Sequence, residues 1–213
     1  MRGEALRSAR EPDILCTMLT IAIAAITLFH QKKPAYVQSY NPHGPVIVTT
    51  MDKGGSFEIT TDPETSPKTV AHILSLVRSG FYDGQKVHRV ESWVTQWGAP
   101  ASKNKPMLVK DKKTGKMVLN DAVGDGGSGK NIETFEMAPG VDFVRGIVGI
   151  ASEGLQLPGD SQLFILKSDA MRLYRSYAVV GKVTKGMDVV DKIKFGDKIK
   201  SMRVVGMRRS SGG

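Results

Sequence analysis

Short β-rich runs separated by glycine-bearing turns, with one clear helix among them, constrain this chain more than any other feature. Pro45–Thr50 and Ser56–Thr60 flank M-D-K-G-G and read as a hairpin. Then comes an amphipathic helix. Ser66 is placed to cap it, Pro67 sits where a first-turn proline is tolerated, and Val70, Ile73, Leu74 and Val77 form one apolar stripe ended by Gly80. Further strand-like runs follow at Lys86–Val90, Trp93–Trp97, Gly146–Ala151, Ser161–Lys167, Tyr177–Val183 and Met202–Met207. Eight short strands with a helix inserted early predict a mainly β fold, a closed barrel, because closure removes exposed sheet edges.

The chain of 213 residues opens differently. Ile14 to Phe29 contains no charge and would span about 24 Å as a helix, near the lower limit for a membrane span. A signal anchor is the expectation, with a cleaved signal peptide or a buried helix as alternatives. Arg2, Arg7 and Arg10 before the run outnumber Lys32 and Lys33 after it, so the remainder is expected outside the cytoplasm, anchored or exported. The expected organisation is an anchor or signal over 1–29, a linker over 30–44, a folded domain over 45–208 and a flexible tail over 209–213.

Charge and motifs exclude more than they assign. The formal net charge is +9, and a single cysteine rules out an internal disulfide and a thiolate zinc cage. Two stretches carry the excess. Lys103, Lys105, Lys110, Lys112, Lys113 and Lys116 against Asp111 lie on an expected hairpin with Thr114-Gly115 in its turn; the second runs from Lys182 to Arg209. Phe195 is the one aromatic residue among these lysines, too few for base stacking, so they read as solvated faces, with anionic lipid as a second use and nucleic acid not expected. Gly124-Asp-Gly-Gly-Ser-Gly129-Lys130 has the spacing of a phosphate loop, but Asn131 replaces the required hydroxyl residue and no helix follows, so a glycine-rich surface loop is the better account. His30, His43, His72 and His88 show no metal-ligand spacing, and there is no nucleophile elbow. Neither a metal nor a cofactor is expected.

The remaining blocks carry a resemblance. F-Y-D-G-Q-K-V-H-R-V, then Gln96 and Gly98, R-G-I-V-G-I-A, S-Q-L-F-I and V-V-G-K-V-T-K-G-M-D-V-V-D-K-I follow in order. Together they resemble cyclophilin-type peptidyl-prolyl cis-trans isomerases over about residues 45–208. The preceding S-P-K-T-V-A-H-I-L-S-L-V-R-S-G-F-Y-D-G is similar to compact bacterial members. The resemblance implies an eight-stranded antiparallel barrel capped by two helices, acting on proline-containing peptides and unfolded chains, as a monomer. It implies Arg89 as the catalytic guanidinium and Gln96 as its support. It places Trp93, Val94, Phe164, Leu173 and Tyr177 around a proline pocket, with Gln162, Ala151 and Ser152 beside the peptide. Departures from the family pattern are one residue fewer between Arg89 and Trp93, Trp97-Gly98-Ala99 after the glutamine, Tyr177 for a histidine and Arg172 for a tryptophan. A non-enzymatic proline-peptide docking or chaperone module on the same fold is the alternative.

Overall fold

The computed structural model describes residues 40–207. The expected anchor over 1–29, most of the 30–44 linker and the tail over 209–213 lie outside them. Among the described residues no helix is long and apolar enough to cross a membrane. Near their start, the Tyr40 hydroxyl donates to Asp62 at 2.8 Å and the Gly44 amide to the Thr61 carbonyl at 2.9 Å, so these residues pack on the domain.

Strands β1 (Pro45–Met51) and β2 (Ser56–Thr61) form the predicted hairpin. Helix α1 (Pro67–Arg78) buries Val70, Ile73, Leu74 and Val77, the stripe read from the sequence. Its N-terminus corrects one expectation: Ser66 makes no capping bond. The carboxylate of Glu136, remote in sequence, instead accepts from the amides of Lys68 and Thr69 at 3.0 and 2.8 Å, satisfying donors that a first turn leaves orphaned.

The remaining strands are β3 (Arg89–Val90), β4 (Val94–Trp97), β5 (Leu108–Lys110), β6 (Met117–Leu119), β7 (Ile147–Ile150), β8 (Leu163–Leu166), β9 (Val179–Lys185) and β10 (Ile199–Met207), with a second helix, α2 (Met187–Lys192), after β9. β5 and β6 form the lysine-rich hairpin, and Gly115 takes a φ of 71° in its turn. The other eight strands make one antiparallel sheet in the order β10-β1-β2-β9-β7-β8-β4-β3. It is a half-barrel rather than the expected closed barrel. β3 is paired over only Arg89 and Val90, and it does not ladder with β10. The expected strand Lys86–Val90 is cut short because Lys86 instead makes an isolated bridge with Lys198, while Val87 exchanges backbone hydrogen bonds with Asp197 and Gly196.

Both faces of the sheet are covered where it matters. β7 and β8 are buried at every position, which is why they read as unbroken apolar runs instead of alternating ones. One face packs Ile47, Phe57, Ile73, Trp97 and Ile165 into the main core. The other packs Val94, Phe143, Ile147, Phe164 and Leu166 into a second cluster, with Trp93, Leu173 and Tyr177 at its margin. Successive strand residues point to opposite faces, so Trp97 enters the main core, edge-on to Phe57 at 6.1 Å, while its neighbour Gln96 faces the other way.

Candidate active site

The register of four strands assembles the site. Arg89 lies opposite Gln96, Gln96 opposite Phe164, and Phe164 opposite Gly149. Directly opposed residues in antiparallel strands share a face, so this row runs across β3, β4, β8 and β7 on one side of the sheet. Gly149 is required there. A Cβ would collide with the far end of the Phe164 ring, which rests against the glycine. Val94, two residues before Gln96, is buried on the same face.

Around this row is a cavity of about 350 Å³ lined by Arg89, Trp93, Val94, Gln96, Ala151, Ser152, Phe164, Arg172, Leu173 and Tyr177. Tyr177 meets Phe164 edge-on at 5.5 Å and forms a wall. Leu173 comes from the short turn Met171–Leu173. Gln162, the remaining residue expected near the peptide, lies just outside: it lines an adjoining cavity of about 690 Å³ that shares Gln96, Ala151 and Ser152 with the first. The Gln96 amide donates to the Gln162 Oε1 at 2.9 Å, and the Gln162 Nε2 donates in turn to the carbonyls of Gly124 and Gly126. The glycine-rich loop thus aims carbonyls at the site. That is the opposite polarity from a phosphate cradle, which presents N–H groups.

Arg89 is held from two sides. Its Nη1 donates to Gln96 Oε1 at 3.3 Å, and Nε and Nη2 each reach Glu91 Oε1 at 2.7 Å. The Trp93 indole donates to the other oxygen, Oε2, at 2.7 Å. Three of the guanidinium's five N–H donors are thereby directed at protein acceptors and two remain. The Arg89 hydrogen bond leads the causes that hold the Glu91 carboxyl below the usual range, with the Trp93 bond and the charges of Arg89 and Arg172 adding to it. Burial pushes the His88 imidazole below its ordinary value; a contact with Gln162 opposes this and the Arg89 charge reinforces it, so His88 is neutral at pH 7.

Two contributors were not foreseen. Glu91 belongs to the shortened β3–β4 turn, closed by its amide donating to the Val94 carbonyl at 2.8 Å, and its spacing of two from both Arg89 and Trp93 was the available signal. Arg172 was expected only as a lost apolar contact. Its guanidinium instead lies 4.2 Å from the Trp93 ring centroid, a contact no sequence spacing announces.

Residues 46–208 match the family described as cyclophilin type peptidyl-prolyl cis-trans isomerase/CLD. The chain belongs to this family. Among curated cyclophilin relatives, a probable peptidyl-prolyl cis-trans isomerase of Brucella abortus is 38% identical over 164 residues, covering 74% of this chain and 75% of that protein. Peptidyl-prolyl cis-trans isomerase B of Bacillus subtilis is 30% identical over 157 residues, covering 73% and 95%. A crystal structure of a Cryptosporidium parvum cyclophilin type isomerase superposes with a TM-score of 0.59 at 20% identity, covering 76% of this chain and 98% of that one. The same protein in the presence of the dipeptide Ala-Pro gives 0.57.

Proposed function

We propose that this cyclophilin isomerises X-Pro peptide bonds through Arg89, with Gln96 positioning it and the 350 Å³ cavity gripping the proline ring. The barrier to rotation is about 18–20 kcal/mol because amide resonance must be broken. Twisting the bond localises the lone pair on the proline nitrogen. A fixed cationic donor aimed there stabilises the twisted state more than the planar one, which lowers the barrier without nucleophile, metal or redox group. Arginine suits the role because it stays charged and presents donors in a rigid fork. Val94, Phe164, Leu173 and Tyr177 supply an apolar wall beside the guanidinium for the proline ring to pack against. The Cryptosporidium relative studied with Ala-Pro supports a proline dipeptide as the minimal occupant.

The observation that carries this reading is the row Arg89–Gln96–Phe164–Gly149, which sets a guanidinium beside an aromatic floor by strand register. Replacing Arg89 with Ala is expected to lower kcat/KM on a short X-Pro peptide about a hundredfold, measured by NMR exchange between the cis and trans forms. Equal exchange rates in the two proteins, with peptide still bound, would instead identify a proline-peptide docking module.

We further infer that the charge-free run of residues 14–29 attaches the chain to a membrane or exports it, placing the domain outside the cytoplasm. Its support is the run itself, with basic residues on both sides. Intact mass and membrane partitioning of the natively expressed chain test this: a cleaved chain indicates export, an intact one in the membrane fraction an anchor, and an intact soluble one overturns the inference.

A further inference from the structure

The two adjoining cavities carry opposite charge. The smaller is lined by two guanidiniums, Arg89 and Arg172, and by no carboxylate. The larger is lined by Asp125, Glu153 and Asp160 and by neither lysine nor arginine. In each, part of the charge is answered from nearby. Glu91 pairs with Arg89, Lys105 with Asp125 at 3.2 Å, and Asp160 takes bonds from Ser128 and the Gly129 amide and faces His72 at 3.4 Å. One charge at each rim is left over. Among the described residues Arg172 has no ion-pair partner, stacking on Trp93 and reaching Glu91 only through its charge, while Glu153 is exposed with neither an ion pair nor a side-chain hydrogen bond.

Stacking on the indole holds the Arg172 guanidinium at the mouth of the smaller cavity and leaves its in-plane donors open to a carboxylate. Glu91 is shared: its oxygens bind Arg89 and Trp93, and it feels the Arg172 charge without forming an ion pair with it, so it answers Arg172 only in part. Lys167, whose Nζ donates to the Glu91 carbonyl at 3.1 Å, adds a further positive charge on that side. Of the other acids near Lys167, Asp191 is held by both terminal nitrogens of Arg145, and Asp169 accepts from the Arg145 backbone amide.

Resting on the isomerase reading above, we propose that this enzyme selects charge-polarised proline segments: an acidic side chain beside the proline, met by Arg172, and a basic side chain farther along the strand, met by Glu153. Arg172 and Glu153 are then specificity-determining residues. They act on which peptide is held, while Arg89 acts on the bond.

The test is a set of peptides with one proline and Glu, Gln or Lys placed in turn at each of the three positions on either side of it, followed by NMR exchange in the full-length protein. The expected result is a Glu-over-Lys preference in kcat/KM of about tenfold beside the proline at low salt, since each exposed charge pair is worth a few-fold. The preference shrinks toward unity at about 0.5 M salt, where screening is short-ranged. Arg172→Glu inverts the preference beside the proline, and Glu153→Lys inverts the preference for a basic residue at the farther position. Each preference is a ratio within one preparation, so partial misfolding of a variant cancels. Turnover of all peptides without charge discrimination, or a preference that survives both reversals, overturns the proposal. No turnover of any peptide overturns the isomerase reading instead.

Discussion

The two adjoining cavities are built by different means. The floor of the smaller one comes from four neighbouring strands, whose pairing dictates that Arg89, Gln96, Phe164 and Gly149 fall in a row. The larger one is lined largely by loop residues, from Gly124 to Asn131 and from Glu153 to Ser161. A ladder fixes positions to fractions of an ångström, whereas loops fix composition and polarity and accept changes in length. Geometry-critical chemistry therefore belongs on the ladder, and peptide selection can be left to the loops. Gln162 joins the two, taking the Gln96 amide on one side and donating to the loop carbonyls on the other.

That contrast can be broken most forcefully at the floor. Phe164→Ala removes a buried ring and is expected to cost about 3 kcal/mol of stability. Denaturant unfolding measures it, and the loss should exceed that of any single substitution in the larger cavity's loops. Gly149→Ala is the subtler attack on the same spot. The added methyl meets the Phe164 ring, so a cost of about 1–3 kcal/mol is expected, together with a rise in KM as the ring is driven into the cavity. A crystal structure of the variant would show the displaced ring.

Glu91→Gln has the smallest expected effect. Glu91 and Arg89 are both 44% exposed, so the pair is screened and adds little to folding. The folded carboxyl lies below its ordinary value of 4.5, so the pairing is present above that value and is lost as pH falls through the lowered one. Wild-type kcat/KM should therefore decline only in acid below about pH 4.5, as Arg89 loses one of its two restraints. The glutamine variant should fall within about threefold of wild type at pH 7 and lack that acid decline, which a pH–rate profile measures.

Much of this site was legible in the sequence because its signals are local or ordered. The α1 stripe, the β1–β2 hairpin and the order of the family blocks needed no tertiary information, and nine residues named from the sequence line the smaller cavity. The unread parts are long-range. Glu136 caps α1 from sixty-eight residues away from Lys68, which no local pattern encodes, so Ser66 was the natural reading. The closed barrel was inferred from strand count. Whether the last strand meets the third depends on how Lys86–His88 and Asp197–Ile199 pair, and there the chain makes a single bridge. Arg172 was read as an absence because its value depends on Trp93, seventy-nine positions away in the chain.

That incomplete seam bears on the strand to which the proposed function assigns the chemistry. β3, with its two paired residues, is one of the two edge strands of the sheet, and it holds the guanidinium. Fraying begins at margins, so the strand bearing Arg89 is expected to loosen under heat or denaturant before the buried central strands β7 and β8. Catalysis would fade while the bulk of the fold is still standing, making turnover a more sensitive gauge of this protein's integrity than its spectrum.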